Sequence, residues 1–383
     1  MIIGFDAKRL FNNFTGLGNY SRTLLHNLLY FSQKDSYYLY SPSILQRRET
    51  EEFIKNPQYR IIVPDTIFKS YWRSVLILKQ LLKDNVEIFH GLSHEIPLNI
   101  QKSKIRSVVT MHDLIFEIYP ETYSFIDRNI YSKKYRYSCK ISDKIIAISE
   151  STKNDIVKLY GIGAEKIEVI YQSCHPLFYN LADNINSDEI LRKYNIPSNY
   201  LLYVGSVIER KNLATIINSF GHLSNDFMIP LVVVGNGGKY KSLIKRLIRS
   251  RGLEKYVIWI ENLTTGDDLR VLYRRAATFI YPSMYEGFGI PIVEALLSKT
   301  PVITSNVSSL PEAGGPGSYY IDPTDSEQLA SGIEKILSDA NYKENMIKIG
   351  HSYAMDKFDA ERTTKQLLAV YENLESATDL TRN

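Results

Sequence analysis

Two stretches of the chain place glycines and fixed charges where a strand gives way to a helix, a junction suited to small anionic ligands. The first is Tyr281-Pro282-Ser283-Met284-Tyr285-Glu286-Gly287-Phe288-Gly289-Ile290-Pro291-Ile292-Val293-Glu294. Gly287 and Gly289 let the main chain approach a ligand closely, and Pro291 suits a first helical position. The N–H groups of the helix start, around Phe288, Gly289 and Ile290, then attract phosphate or sugar oxygens. Glu294, about one turn into the helix, can accept hydrogen bonds from two vicinal ribose hydroxyls, and Glu286 sits nearer the reacting group. The plain alternative is a glycine-rich turn carrying two solvated carboxylates. The second stretch is Val204-Gly205-Ser206-Val207-Ile208-Glu209-Arg210-Lys211-Asn212. Arg210 can grip phosphate oxygens bidentately and Lys211 adds a compact point charge. Were a phosphate to leave, such cations would stabilise the transition state more than the ground state. The plain alternative is an exposed basic helix start.

Other candidates are weaker. Gly16 and Gly18 resemble part of a dinucleotide fingerprint, but the third glycine position holds Ser21 and about ten residues separate strand from loop, which weakens an oxidoreductase reading. His90 and His94 have a helical metal-ligand spacing, yet His90 ends a strand, so no metal site is expected. No Asp-x-Asp occurs, which removes the carboxylate pair that would hold a metal on a diphosphate; cations would do that work. Cys139 and Cys174 are the only cysteines, too few for a disulfide framework and in keeping with a reducing compartment.

The elements that position these residues follow an alternation of β-branched runs and amphipathic segments, the pattern of a doubly wound α/β fold. In the first half, strands are predicted at Ile2–Phe5, Ile61–Val63, Val86–His90, Ser107–Met111, Lys144–Ile148 and Ile167–Ile170. Helices are predicted at Tyr20–Tyr30, Ser70–Lys83, Phe125–Cys139 and Ser151–Tyr160, the last with Ser149 as its N-cap. The rhythm breaks over Gln172–Asn199, which reads as a connection. It restarts with strands at Tyr200–Val204, Leu231–Val234, Val257–Ile260, Thr278–Tyr281 and Val302–Thr304, between helices at Leu213–Leu223, Tyr240–Arg251, Asp267–Arg275 and Ile292–Ser298. From Ser326 onward the chain reads as helical. Two domains are expected, 1–175 and 196–358, with a last helix at about 360–383 packing back on the first.

Composition narrows the function classes. Hydrophobic residues make up 44% and charged residues 23% of 383, ordinary for a globular protein, and a net charge of +4 is far too small to suggest nucleic acid. The amino terminus reads as a strand rather than a signal peptide, and no run is long enough to cross a bilayer, so a cytoplasmic protein is expected, with any membrane contact peripheral. The basic run Lys239, Lys241, Lys245, Arg246, Arg249, Arg251 and Lys255 reads as a solvated helix face, with contact to anionic lipid the alternative, and Phe68–Leu82 as a core helix rather than a membrane-facing one.

Taken together, these stretches resemble the retaining glycosyltransferases of family four, which have the GT-B fold. A Glu, seven residues and a second Glu form that family's hallmark, matched by Glu286 and Glu294, and the Arg-Lys pair matches Arg210 and Lys211. The likeness extends through Thr15-Gly16-Leu17-Gly18-Asn19-Tyr20, Met111-His112-Asp113-Leu114 and Ser308-Ser309-Leu310-Pro311-Glu312 to Asp322-Pro323. It implies two Rossmann-like domains facing across a cleft that closes over the donor. It further implies that Gly16 and Gly18 serve the acceptor and phosphate end of the site, and that His112 lies against the transferred sugar. A nucleotide sugar is the implied substrate, GDP-mannose by the likeness of the His112 and Ser308–Pro323 regions to bacterial mannosyltransferases, and no cofactor is implied. The acceptor would be a glycan or a lipid-linked saccharide of surface polysaccharide synthesis, at the inner face of the plasma membrane. Exchanging both Arg210 and Lys211 for Ala is expected to abolish transfer with the fold intact. An epimerase on the same fold, or a silent sugar-nucleotide-binding protein, is the alternative.

Overall fold

Among the described residues thirteen short strands fall into two all-parallel sheets, as the repeated alternation of apolar runs and amphipathic segments requires, since both faces of a parallel sheet must be covered by helices. The computed structural model describes residues 1–179 and 186–380, with side chains described through residue 376. The chain forms two compact units, residues 1–173 with the segment from Ala360 onward, and residues 174–359.

The amino-terminal unit carries β1 (Ile2–Asp6), β2 (Ser36–Tyr40), β3 (Tyr59–Ile62), β4 (Ile88–Gly91), β5 (Arg106–Met111), β6 (Lys144–Ala147) and β7 (Ile167–Val169). Their order is β3-β2-β1-β4-β5-β6-β7, so the order reverses between β1 and β4. The strand β2 was not predicted. It lies inside the sheet, paired with β1 over its whole length and with β3 over Tyr37–Tyr40. The helix predicted from Tyr20 starts instead at Gly16 and runs to Phe31, because the Asn13 side chain accepts hydrogen bonds from Thr15 N and Gly18 N, both at 3.0 Å, and so satisfies first-turn donors. Ser149 is an N-cap as predicted, its Oγ accepting from Thr152 N at 3.0 Å.

Phe68–Leu82 is not a single core helix. It divides into Lys69–Tyr71, a π turn at Trp72–Leu76, and Ile77–Lys83. Trp72, Ile77, Leu78 and Leu81 are buried, whereas Phe68, Tyr71 and Leu82 stand exposed. The last helix, Ala360–Leu380, sets Leu367, Val370, Tyr371 and Leu374 into the cluster that holds Ile3, Phe5, Leu25 and Leu28. Each such side chain contributes about 1.5–3 kcal/mol on full burial, so this helix is an integral part of the unit.

The carboxy-terminal unit carries β8 (Leu201–Val204), β9 (Leu231–Val234), β10 (Val257–Ile260), β11 (Thr278–Tyr281), β12 (Val302–Ser305) and β13 (Tyr319–Ile321) in the order β10-β9-β8-β11-β12-β13. The order reverses between β8 and β11. The strand β13 was also unforeseen. The predicted connection over Gln172–Asn199 lies outside the described residues at 180–185; its described part holds a turn at Pro176–Phe178 and a helix at Ser187–Lys193. The basic helix Lys239–Ser250 is not wholly solvated as expected. Lys241 is buried, bonded to Glu261 at 2.5 Å and to Asn236 Oδ1 at 3.1 Å, and lies 5.0 Å over the Trp259 ring. Among the described residues no helix is long and apolar enough to cross a membrane.

Candidate active site

In the carboxy-terminal unit, β8 and β11 are neighbours in register, Leu201 opposite Thr278 and Leu202 opposite Phe279. Because the strand order reverses there, the loops that follow these two strands leave the sheet side by side, where open α/β sheets hold ligands. Gly205 follows β8 with φ +151°, and a Cβ at this position would lie 3.3 Å from Lys211 Cδ, so the glycine lets the lysine stem cross the strand end. The turn Glu209–Lys211 is closed by Asn212 in the left-handed region, φ +57°. Asn212 Nδ2 donates to Pro282 O at 3.0 Å and Pro323 O at 2.7 Å, while Met284 N donates to Arg210 O at 2.8 Å. These bonds fix the two loops against each other.

The outcome is a charge cluster around Glu286. Arg210 Nη1 lies 2.8 Å from Glu286 Oε2, and Lys211 Nζ lies 2.9 Å from Oε1. Ser283 Oγ and the Tyr281 hydroxyl donate to Oε1 at 2.9 and 3.1 Å. Lys211 also donates to the Tyr281 hydroxyl, and Arg210 to Tyr285 O. Burial pushes the Glu286 carboxyl up, but the Lys211 and Arg210 charges outweigh it and hold it down at about 2. Ser308 Oγ accepts from Glu286 N at 3.0 Å, and Ser309 Oγ donates to Glu286 O and Phe288 O at 2.8 and 2.9 Å.

Past this cluster, Gly289 caps the helix Ile290–Leu297 with φ +119°. Phe288 turns its ring into the core, 5.4 Å from Phe358, so the side chain packs rather than presenting itself to a ligand. Glu294, half-buried, accepts from the Tyr273 hydroxyl at 2.9 Å. With no cation to balance burial, its carboxyl is pushed up to about 7.

In the amino-terminal unit Gly16 and Gly18 do unlike jobs. Gly16 has open space where a Cβ would stand, whereas a Cβ at Gly18 would lie 1.7 Å from Asn13 O. His112 follows β5, is 4% exposed, and donates from Nε2 to Leu92 O at 2.9 Å. Burial lowers its pKa to about 4, so the ring is neutral. His90 is engaged by Thr110 Oγ1 at 2.8 Å and the Tyr371 hydroxyl at 2.6 Å. Both cysteines are buried and unpaired, and burial pushes the Cys139 thiol up to about 12, far from a reactive thiolate.

Residues 15–174 match the family described as Glycosyltransferase Family 4, and residues 186–353 match the family described as Glycosyl transferases group 1. The chain is 30% identical over 291 residues to O-antigen chain mannosyltransferase B of Escherichia coli, covering 75% of this chain and 74% of that protein. The chain belongs to glycosyltransferase family 4. Another relative, O-antigen chain mannosyltransferase RfbU of Salmonella typhimurium, is 30% identical over 268 residues, 70% of this chain and 69% of that one. Among solved structures, a glycosyltransferase from Rickettsia africae superposes with a TM-score of 0.77 at 17% identity, covering 97% of this chain and 98% of the other. Anabaena HepE with UDP and glucose gives 0.76 at 16%, covering 97% and 100%. These likenesses place the glycosyltransferase in the GT-B fold.

Several residues of the candidate site carry little signal in the sequence. Tyr281, Ser283 and Tyr273 lie within or near the quoted motifs but carry no motif of their own, and Asn212 was quoted without a role. Asn212 offered one signal, an Asn after two cations at a helix start, the residue type that best tolerates the left-handed region after glycine. The expectation that both cations can become Ala with the fold intact needs correcting. Their removal would leave the buried Glu286 carboxylate without its ion pairs, a loss of about 3–5 kcal/mol.

Proposed function

We propose that this glycosyltransferase moves a hexose, mannose from GDP-mannose, to a glycan or lipid-linked acceptor in surface polysaccharide synthesis, with retention at the anomeric carbon and without a metal. The observation that carries the reading is the convergence of Arg210 and Lys211 on one carboxylate beside the start of the Ile290–Leu297 helix. A diphosphate arriving there meets two fixed cations already partly stripped of water. As the bond between the anomeric carbon and the phosphate oxygen breaks, those cations take up the growing charge. The acceptor oxygen bonds to the anomeric carbon and its proton passes to the leaving phosphate. Glu286 is a poor base for that proton, because its oxygens already accept from Arg210, Lys211, Ser283 and Tyr281. Its role is to hold the cations and, with the Gly287–Gly289 main chain, the sugar. Glu294 accepts from the ribose hydroxyls, and His112 and the Gly16–Gly18 turn serve the amino-terminal unit's share of the substrates.

Mannose and the surface polysaccharide rest on the two relatives named as O-antigen chain mannosyltransferases. A place at the inner face of the plasma membrane suits a lipid-linked acceptor, and exposed Phe68 and Phe125, with Lys69 and Arg128 nearby, support peripheral contact. A panel of nucleotide sugars with a lipid-linked saccharide acceptor and a chelator tests the reading. Transfer from GDP-mannose to a product of unchanged anomeric configuration is expected. Epimerised nucleotide sugar, or another preferred donor, would contradict it.

A further inference from the structure

The loop that follows β4 holds His94 in the left-handed region, φ +64°, a conformation strained for a residue with a Cβ. It lies beside the reversal of strand order between β1 and β4, where ligands settle in such sheets. His94 is 4% exposed, its ring stacked on Tyr135 with centroids 4.3 Å apart and planes within 5°. The His112 ring meets it edge-on at 5.1 Å. His112 N donates to His94 Nδ1 at 3.5 Å, which places the proton of a neutral ring on Nε2. No hydrogen bond reaches His94 Nε2 among the described residues. His112 is the complement. Its Nε2–H is spent on Leu92 O, so its Nδ1 is an acceptor with no donor on it among the described residues.

One neutral donor and one neutral acceptor on adjoining rings match a group that both accepts and donates, which is a hydroxyl. A carboxylate or phosphate would leave His112 Nδ1 facing a lone pair. We propose that His94 is a second substrate-contacting histidine, its Nε2–H donating to the oxygen of a sugar hydroxyl whose own proton is directed to His112 Nδ1. This rests on the sugar-transfer reading above. The hydroxyl belongs either to the transferred sugar or to the glycosyl acceptor, and the experiment separates the two.

The test is steady-state transfer by His94→Asn and His94→Gln. Asn tolerates the positive φ and keeps an oxygen for His112 N–H, but leaves no donor at the Nε2 position. Gln returns an amide N–H toward that position. A loss of at least about tenfold in kcat/KM is expected for H94N, with partial recovery in H94Q. A raised KM for the nucleotide sugar assigns the hydroxyl to the transferred sugar, and a raised KM for the saccharide assigns it to the acceptor. Wild-type kcat and both KM values in H94N would overturn the proposal while leaving sugar transfer standing. A wild-type enzyme that transfers no sugar overturns the underlying reading and this proposal with it. Should H94N not fold, the His94 Nε2 nitrogen resonance of the wild type is followed as GDP-mannose, then acceptor, is added; a shift supports the contact and an unmoved signal with both present overturns it.

Discussion

Glu286 and Glu294 sit on one loop and helix, yet their surroundings drive their carboxyls in opposite directions, to about 2 and about 7. Glu286 therefore strengthens the fold above its unfolded value near 4.5, and this is lost as pH falls toward 2. For Glu294 the sign reverses: its contribution is complete below 4.5 and is lost as pH rises through about 7. Ribose hydroxyls donate best to an ionised carboxylate, so a bound nucleotide should draw the Glu294 proton off. Affinity for a nucleotide sugar, whose diphosphate diester does not titrate near neutrality, should rise with pH up to about 7 and level beyond it, with proton release seen by calorimetry in buffers of different ionisation heat. Glu294→Gln should flatten the profile. A profile equally steep in E294Q would place the titration elsewhere.

At the scale of elements, Gly16 and Gly18 look interchangeable in sequence but are not in space. Gly18→Ala puts a Cβ 1.7 Å from Asn13 O and should destabilise by about 1–3 kcal/mol, read as a lower urea midpoint, while Gly16→Ala, with open space around it, should stay within about 0.5 kcal/mol. Equal effects at both positions would contradict the packing role. The same contrast explains what the sequence disclosed. Apolar strands such as Leu231–Val234 and Val302–Ser305 declare themselves, because burial on both faces demands continuous hydrophobic residues. Ser36–Tyr40 and Tyr319–Ile321 do not, since their tyrosines look half-polar until partners appear, such as Leu28 O and Ser32 O for the Tyr37 hydroxyl and Asp84 for that of Tyr40. The Gly16 helix start was hidden for a related reason: its cap is Asn13, set back from the helix, rather than Thr15, whose side chain makes no cap bond.

For the whole molecule, the local motifs were legible and their partnerships were not. The Glu286 to Glu294 stretch and the Arg210-Lys211 pair each announce phosphate and sugar chemistry, but only the pairing of β8 with β11 makes Glu286 the counter-ion of both cations. The Tyr371 hydroxyl on His90 is likewise a bond between distant parts of the chain. The central claim is that Arg210 and Lys211 are the diphosphate's partners. Calorimetric titration of GDP and of guanosine into the wild type and an Arg210→Gln, Lys211→Gln variant tests it most directly, since Gln removes the charge but keeps a polar side chain, and a urea midpoint checks the fold. At about 1.5 kcal/mol for each charged bond, GDP affinity should fall about a hundredfold while guanosine affinity holds. Undiminished GDP affinity in a folded variant would contradict the account.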